Sequence, residues 1–338
     1  MGIMSRDIGV DLGTSNVRIF VKGRGIVLNE PAVVATNKIT GEVLAVGNNA
    51  KEMLGRTPEN IVAVRPLKDG VIADFEATRR MLETFISKVL PKSLFSKPRM
   101  VISIPYGITD VEERAVEGVA YKAGAKEVYI MEEVMAASIG AKIRVERAEG
   151  AMVIDIGGGT SEMAVLSLGG IVVSNSLRIG GETFDRDIVE YVKKKYNCVI
   201  GEADGEEIKK QIASVFPTMT EEKYTVKGRN LSTGLPEDIS LTTKEVGEAI
   251  SESAKKIVKV IKSTLEETPP ELSADIMDHG ITITGGVAYI KNLDQYISNE
   301  LGLPVHIAEN PSDCVIKGIG ATLDNIEVLK KAVKTKRK

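Results

Sequence analysis

The chain has 338 residues, 43% apolar and 27% charged, with a formal net charge of −3; the length suits two domains and the composition a globular protein in water. No run reaches the ~18 uninterrupted apolar residues of a membrane span, because Asp155 and Glu162 break the most hydrophobic region, and the segment before the first strand is too short for a signal peptide. Cys198 and Cys314 lie far apart and only two histidines are present, which supports neither a disulfide framework nor a zinc site and points to the cytosol.

Apolar runs at 8–12 and 17–21, separated by a glycine-containing turn, predict strand, turn, strand; alternation over 31–46 around Thr40-Gly41 predicts another hairpin. Residues 48–74 read as a small insertion with a helical piece near 49–54 and a turn at 66–70. Asp74 suits the N-cap of a helix over 75–90, where Phe75, Met81, Leu82, Phe85, Ile86 and Val89 fall at helical spacing. A buried strand at 100–104 stops at Pro105. Asp110 is expected to cap a helix through Ala123, and a strand at 128–131 leads into a helix from Glu133 to about Ile143.

The pattern then repeats with a larger insertion. Helices are expected at 183–195 and 206–215, strands within 224–241 around a turn at 232–236, and a long helix over 244–265 that ends at Pro269-Pro270. A strand from Ile281 runs into Gly285-Gly286, a helix follows to about Leu301, then a strand at 305–307 and a helix at 314–329. Strands alternating with helices predict an α/β layer architecture of two domains, each carrying a smaller subdomain. The last nine residues hold six positive charges and no negative one, leaving −9 on the rest. An acidic body argues against nucleic acid as a partner. The basic tail suits an anionic membrane surface or, equally, a solvated terminus.

One phrase occurs twice: Val10-Asp11-Leu12-Gly13-Thr14-Ser15-Asn16 and Ile154-Asp155-Ile156-Gly157-Gly158-Gly159-Thr160-Ser161, each an apolar strand, an aspartate, a glycine turn and a second apolar strand. Such a repeat predicts two similar half-molecules facing each other across a cleft, each contributing an acidic, glycine-lined turn to grip a nucleoside triphosphate. Magnesium prefers oxygen ligands and is usually held by one or two carboxylates together with phosphates, which suits Asp11 and Asp155. Gly13 beside Thr14, Ser15 and Asn16, and Gly157, Gly158 and Gly159 beside Thr160, would let backbone N–H groups approach phosphate oxygens. A single Asp-Gly turn more often just closes a hairpin; two in equivalent contexts argue for the site. No GxxxxGK[ST] loop and no GxGxxG after a strand occurs, so phosphate binding would depend on hairpins. Gly285 and Gly286 would let a ribose or adenine lie against backbone. Glu133 suits the orientation of a water that attacks a γ-phosphate, and equally a first-turn glutamate that favours the helix dipole by about 0.3–1 kcal/mol.

With these residues assembled, the sequence resembles the actin/Hsp70/sugar-kinase superfamily and, within it, the bacterial actins of the MreB family. The resemblance is carried by residues 11–14, 65–74, 107–116, 155–160, 231–236 and 264–272 and spans residues 7 to about 325. It implies an actin-like, duplicated ribonuclease-H-like fold: domain IA at 1–32 and 75–145, subdomain IB at 33–74, domain IIA at 146–180 and 247–314, subdomain IIB at 181–246, a C-terminal helix at 315–329 returning to IA, and the basic tail at 330–338. It further implies an ATPase with ATP or ADP and Mg2+ as ligands, polymerising into filaments at the inner face of the cell membrane, with paralogues or other cell-shape proteins as partners. By motif, Asp11 and Asp155 would sit at the magnesium, Gly13 to Asn16 and Gly157 to Thr160 at the phosphates, and Glu133 and Thr160 at the attacking water. Glu206, Lys209 and Lys210 would border the nucleoside, and Leu94-Phe95 fall where the family carries a loop that inserts in membrane, although on pattern alone they equally suit a helix-end cluster in the core.

Three positions depart from the family pattern. Val287 replaces a third glycine and is expected to crowd the nucleoside; Val134 replaces a proline after Glu133 and is expected to loosen its presentation; Gln211 replaces an acidic residue. The alternatives are a small-molecule kinase of the same superfamily, for which no general-base aspartate stands out, and a nucleotide-binding scaffold without turnover. A chaperone of this superfamily would need a longer chain.

Overall fold

β-branched residues at alternate positions, broken by glycine turns, set the strands. The computed structural model describes residues 7–90, 97–216 and 220–325. They form two units, one comprising the described residues up to Val145 together with those from Asp313 onward, the other Glu146–Ser312.

In the first unit β1 (Ile8–Leu12), β2 (Asn16–Val21) and β3 (Gly25–Pro31) form an antiparallel meander, while β4 (Arg99–Ile104) and β5 (Glu127–Glu132) extend the sheet in parallel on the other side of β1. The spatial order is β5-β4-β1-β2-β3. β1 is buried along its whole length, as befits a central strand covered on both faces. The Phe75–Val89 helix supplies Met81, Leu82 and Phe85 to this core, and the Asp74 carboxylate accepts from the Ala77 N–H at 3.0 Å as its N-cap. The next helix, Asp110–Lys122, is capped by Thr109, not by Asp110: Thr109 accepts from Glu112 N–H while Glu112 accepts from Thr109 N–H, a reciprocal box that the threonine hydroxyl one residue earlier makes possible. The helix after β5 spans Glu133–Gly140, shorter than expected.

The second unit repeats this plan. β6 (Ala151–Ile156), β7 (Ser161–Ser167) and β8 (Gly170–Leu177) form the meander, β9 (Ile281–Thr284) and β10 (Val305–Ile307) add in parallel beside β6, and the order is β8-β7-β6-β9-β10. Each unit also carries a three-stranded antiparallel sheet: Val34–Asn37, Val43–Val46 and Ile61–Val64 in the first, Cys198–Val199, Lys223–Asn230 and Pro236–Thr242 in the second.

Several expected elements shift. The helix expected at 206–215 is Glu202–Ile212; Asp204 accepts from Gly201 N–H at 3.0 Å and sets the start a turn earlier. Pro269-Pro270 does more than end the long helix Thr243–Glu266, since Pro270 opens a further helix, Pro270–His279, at the position where its missing N–H costs nothing. After Gly285 the chain makes a 3₁₀ turn, Gly286–Tyr289, before the helix Leu293–Leu301. The last described helix is Cys314–Thr322, followed by a 3₁₀ turn at Leu323–Asn325. Leu94, Phe95, residues 326–329 and the basic tail lie outside the described residues.

Candidate functional site

Both acidic turns occupy the same place in their sheets. Asp11 stands near the end of β1 opposite Arg18 of β2, and Asp155 near the end of β6 opposite Glu162 of β7. Both aspartates are buried, as are Thr14 and Thr160.

Around Asp11 the support comes from side chains. Arg18 Nη1 donates to Asp11 Oδ2 at 3.2 Å, and Arg18 Nε lies 3.6 Å from Asp313 Oδ1, beside the start of the Cys314–Thr322 helix. Burial pushes the Asp11 carboxyl above the ordinary carboxylate range, and the Arg18 charge pulls the other way. Asp69 and Gly70, both with positive φ (50° and 81°), form the tight turn between Leu67–Lys68 and Val71–Ile72. Gly70 then donates its N–H to Thr14 Oγ1 at 3.0 Å. Ser15 O accepts from Ala32 N–H, and Asn16 Nδ2 donates to Asn29 Oδ1, both at 2.9 Å. A Cβ on Gly13 would meet Asn16 O at 2.8 Å, so the turn needs glycine there.

Around Asp155 the support is largely backbone. Gly157 N–H donates to Thr160 O at 2.9 Å, closing the turn. Gly181 N–H donates to Gly157 O and Glu182 N–H to Gly158 O, tying the turn to the start of the Gly181–Tyr196 helix. That approach requires Gly180, whose Cβ would lie 2.6 Å from Gly158 O. Thr284 of β9, paired with Asp155 in register, donates its hydroxyl to Asp155 Oδ1 at 2.6 Å. Gly285 (φ 87°) passes so close to β6 that a Cβ would sit 2.2 Å from Ile156 O, whereas a Cβ on Gly286 would meet nothing within 4 Å.

The residues expected at the nucleoside behave differently from one another. Lys209 Nζ donates to Gly181 O and lies 2.7 Å from Asp185 Oδ1, so its ammonium clips its helix to the preceding one, Gly181–Tyr196. Burial pushes the Asp185 carboxyl up to about 6 against the attraction of Lys209, with Glu206 and Glu182 adding to the rise. Lys210 pairs with Glu206 one helical turn away at 2.5 Å. Gln211 donates to Glu207 at 2.7 Å. Val287 does not crowd open space: it is buried in the core of its unit, its Cγ2 3.3 Å from where a Cβ on Gly181 would be. Val134 is buried too, and its carbonyl accepts from Ser138 Oγ at 2.6 Å, so the helix that begins at Glu133 is held without the proline. Glu133 is half-buried at the first position of that helix, directly after β5.

Sequence reasoning missed Arg18, Gly70, Gly180 and the hydroxyl of Thr284. Arg18 could have been found by counting across the hairpin from Asp11; the others depend on contacts distant in sequence.

These residues fit a magnesium nucleotide. Asp11 is a buried carboxylate whose charged form a cation would favour. Among the described residues no group of three or more His, Cys, Asp or Glu could hold a metal, so a metal at either aspartate would draw its remaining oxygens from a phosphate and water, the usual habit of Mg2+. Gly158 and Gly159 donate their N–H groups to no acceptor among the described residues and so suit an anion. Among the same residues no helix is long and apolar enough to cross a membrane.

The sequence matches the family described as MreB/Mbl protein over residues 5–331. It is 54% identical over 329 residues to the cell shape-determining protein Mbl of Bacillus subtilis, covering 97% of this chain and 99% of that one. To the cell shape-determining protein MreB of Escherichia coli it is 48% identical over 332 residues, 97% of this chain and 96% of that one. Among solved structures, MreB 5 of Spiroplasma citri bound to AMPPNP superposes with a TM-score of 0.92 at 38% identity, covering 99% of each chain. The α/β fold with its duplicated sheet is thus that of the actin-like MreB structures.

Proposed function

Because the chain belongs to the MreB/Mbl family, we propose that it binds and hydrolyses ATP with magnesium and polymerises into cytoskeletal filaments that determine cell shape. The observation that carries this reading is the pair of buried aspartates at equivalent register positions of two sheets with the same strand order. The AMPPNP of the Spiroplasma citri protein and the cell-shape role in the names of the curated relatives support it.

In this reading Asp11 and Asp155 hold the metal. Gly13, Thr14, Ser15 and Asn16 in one unit, and Gly157 to Thr160 in the other, hold the phosphates with backbone N–H groups and hydroxyls. Magnesium, when bound, supplies positive charge that offsets the negative charge of the phosphate oxygens. Glu133 orients the attacking water and accepts its proton, and Thr160 helps fix that water. Glu206, Lys210 and the open Cα of Gly286 border the nucleoside, while Lys209 shapes that border through its clip to Gly181 and Asp185. The filament works at the inner face of the cell membrane, using Leu94-Phe95, the basic tail or both, each Lys or Arg held near an anionic surface contributing about 1 kcal/mol. Paralogues or other cell-shape proteins are its expected partners.

High-speed sedimentation with and without magnesium and ATP tests the reading. Nucleotide-dependent pelleting together with phosphate release is expected. Glu133→Ala should lower phosphate release on the order of 100-fold, as loss of a general base does, while sparing ATP binding. A protein that binds ATP yet stays in the supernatant at every concentration would return the question to the kinase or the scaffold.

A further inference from the structure

On the strand next to each aspartate the corresponding position carries a hydroxyl, Thr284 in one sheet and Ser103 in the other, but only Thr284 is bonded to its aspartate. In the second unit β6 and β9 pair in parallel through Asp155↔Thr284, and Thr284 Oγ1 donates to Asp155 Oδ1 at 2.6 Å. In the first unit β1 and β4 pair in the same sense from Ile8↔Met100 to Val10↔Ile102, one pair short of the aspartate. The next residues are Asp11 and Ser103, the counterparts of Asp155 and Thr284. Ser103 is 2% exposed, and its hydroxyl makes no hydrogen bond among the described residues. Asp11 instead takes Arg18 Nη1 at 3.2 Å.

A guanidinium and a divalent cation compete for one carboxylate, because each prefers it unshared with another positive charge. A hydroxyl does not compete: it donates to one oxygen and leaves the other to the metal. Arg18 also has somewhere to go, since its Nε, buried and without a hydrogen bond, already lies 3.6 Å from Asp313 Oδ1. Resting on the magnesium-nucleotide reading given above, we infer that Asp11 exchanges Arg18 for Ser103 when magnesium and nucleotide bind, which makes Ser103 a positioning residue for the metal-bound carboxylate. The exchange extends the β1–β4 ladder by the one pair that β6–β9 already has. Arg18 moves toward Asp313 and carries the change to the start of the Cys314–Thr322 helix.

Titrating magnesium against binding of a fluorescent ATP analogue, with EDTA as the zero point, tests this without reference to turnover. Ser103→Ala should raise the magnesium concentration for half-saturation about tenfold, the low end for loss of a group that orients a metal ligand. Its affinity in EDTA and the thermal midpoint of the nucleotide-free protein should not fall, and Ser103→Thr should restore the wild-type curve. Arg18→Gln should move the curve the other way, by roughly tenfold, the lower end of what a neighbouring arginine does to an aspartate's affinity for a proton. A Ser103→Ala curve that overlays wild type while Asp11→Asn still loses the magnesium response overturns the exchange and leaves the site standing. Wild type and Asp11→Asn binding alike with and without magnesium overturns the site, and the exchange with it.

Discussion

The Asp11 and Asp155 turns hold equivalent positions in equivalent sheets, yet they are braced in different ways. The first relies on side chains: Arg18 on Asp11, and Thr14 receiving the Gly70 N–H. The second relies on backbone passing close to backbone, at Gly180 against Gly158 and Gly285 against Ile156, with one hydroxyl from Thr284. Across each hairpin the acid faces a charged residue, but the two differ in sign: Arg18 opposite Asp11, Glu162 opposite Asp155. Strand register therefore fixes where the carboxylate sits, while the groups around it differ.

That contrast says where each turn breaks. The largest effect is expected at the backbone-braced turn. Gly285→Ala places a methyl 2.2 Å from Ile156 O at a φ of 87°, and the strain and overpacking together should cost about 4 kcal/mol of folding stability. Gly286→Ala, one residue on and with nothing within 4 Å, should be close to neutral in the same denaturant melts. Equal effects from the two would remove the close approach from the account.

Next comes the side-chain-braced turn. Asp11→Asn keeps an oxygen for Arg18 but removes the charge beside it, leaving the more distant Asp313 as the nearest carboxylate among the described residues, and should cost about 2 kcal/mol, within the range for a hydrogen bond to a charged group. Asp155→Asn keeps an oxygen for the Thr284 hydroxyl and should cost about 1 kcal/mol. Urea unfolding of the nucleotide-free variants measures the gap; a gap of the opposite sign would sink the distinction between the turns.

How much of this could be read in the sequence follows the range of the contacts. The two hairpins and their aspartates were legible because each is local, a strand, a turn and a strand within about fifteen residues. The cap at Asp74 was legible for the same reason. Thr109 and Asp110 are both good caps in sequence, and only the partner Glu112 decides between them. The helix Pro270–His279 is not legible because a proline pair marks the stop of one helix as readily as the start of another. Gly180 and the hydroxyl of Thr284 could not be read at all. Their roles depend on a chain crossing from a distant segment and on parallel register between strands about 130 residues apart. Val134 and Val287 looked like defects because they differ from the family pattern; burial in their own cores makes them packing residues.

The smallest effect concerns pH at the Lys209 clip. Asp185 is pushed up to about 6, mainly by burial, so between the ordinary carboxylate value and about pH 6 the folded state holds more protons than the unfolded one. Its contribution to stability is therefore full below about pH 4 and is lost as pH rises to about 6. In Asp185→Asn this loss should vanish, so the wild-type minus variant difference in thermal midpoint should fall across that window and then level. A difference that is flat from pH 4 to 7 would contradict the assignment. No such step is expected from the Asp11 turn in this comparison, because both proteins retain it.

The most direct test of the central claim, that two differently braced turns serve one magnesium nucleotide, is the magnesium-dependent affinity for a fluorescent ATP analogue in Asp11→Asn and Asp155→Asn, each first shown to be folded by circular dichroism. Both variants should lose the gain that magnesium gives the wild type, by on the order of 100-fold, the upper range seen when even outer partners of a metal are removed. Either variant keeping the wild-type magnesium response would contradict the claim and confine the metal to the other turn.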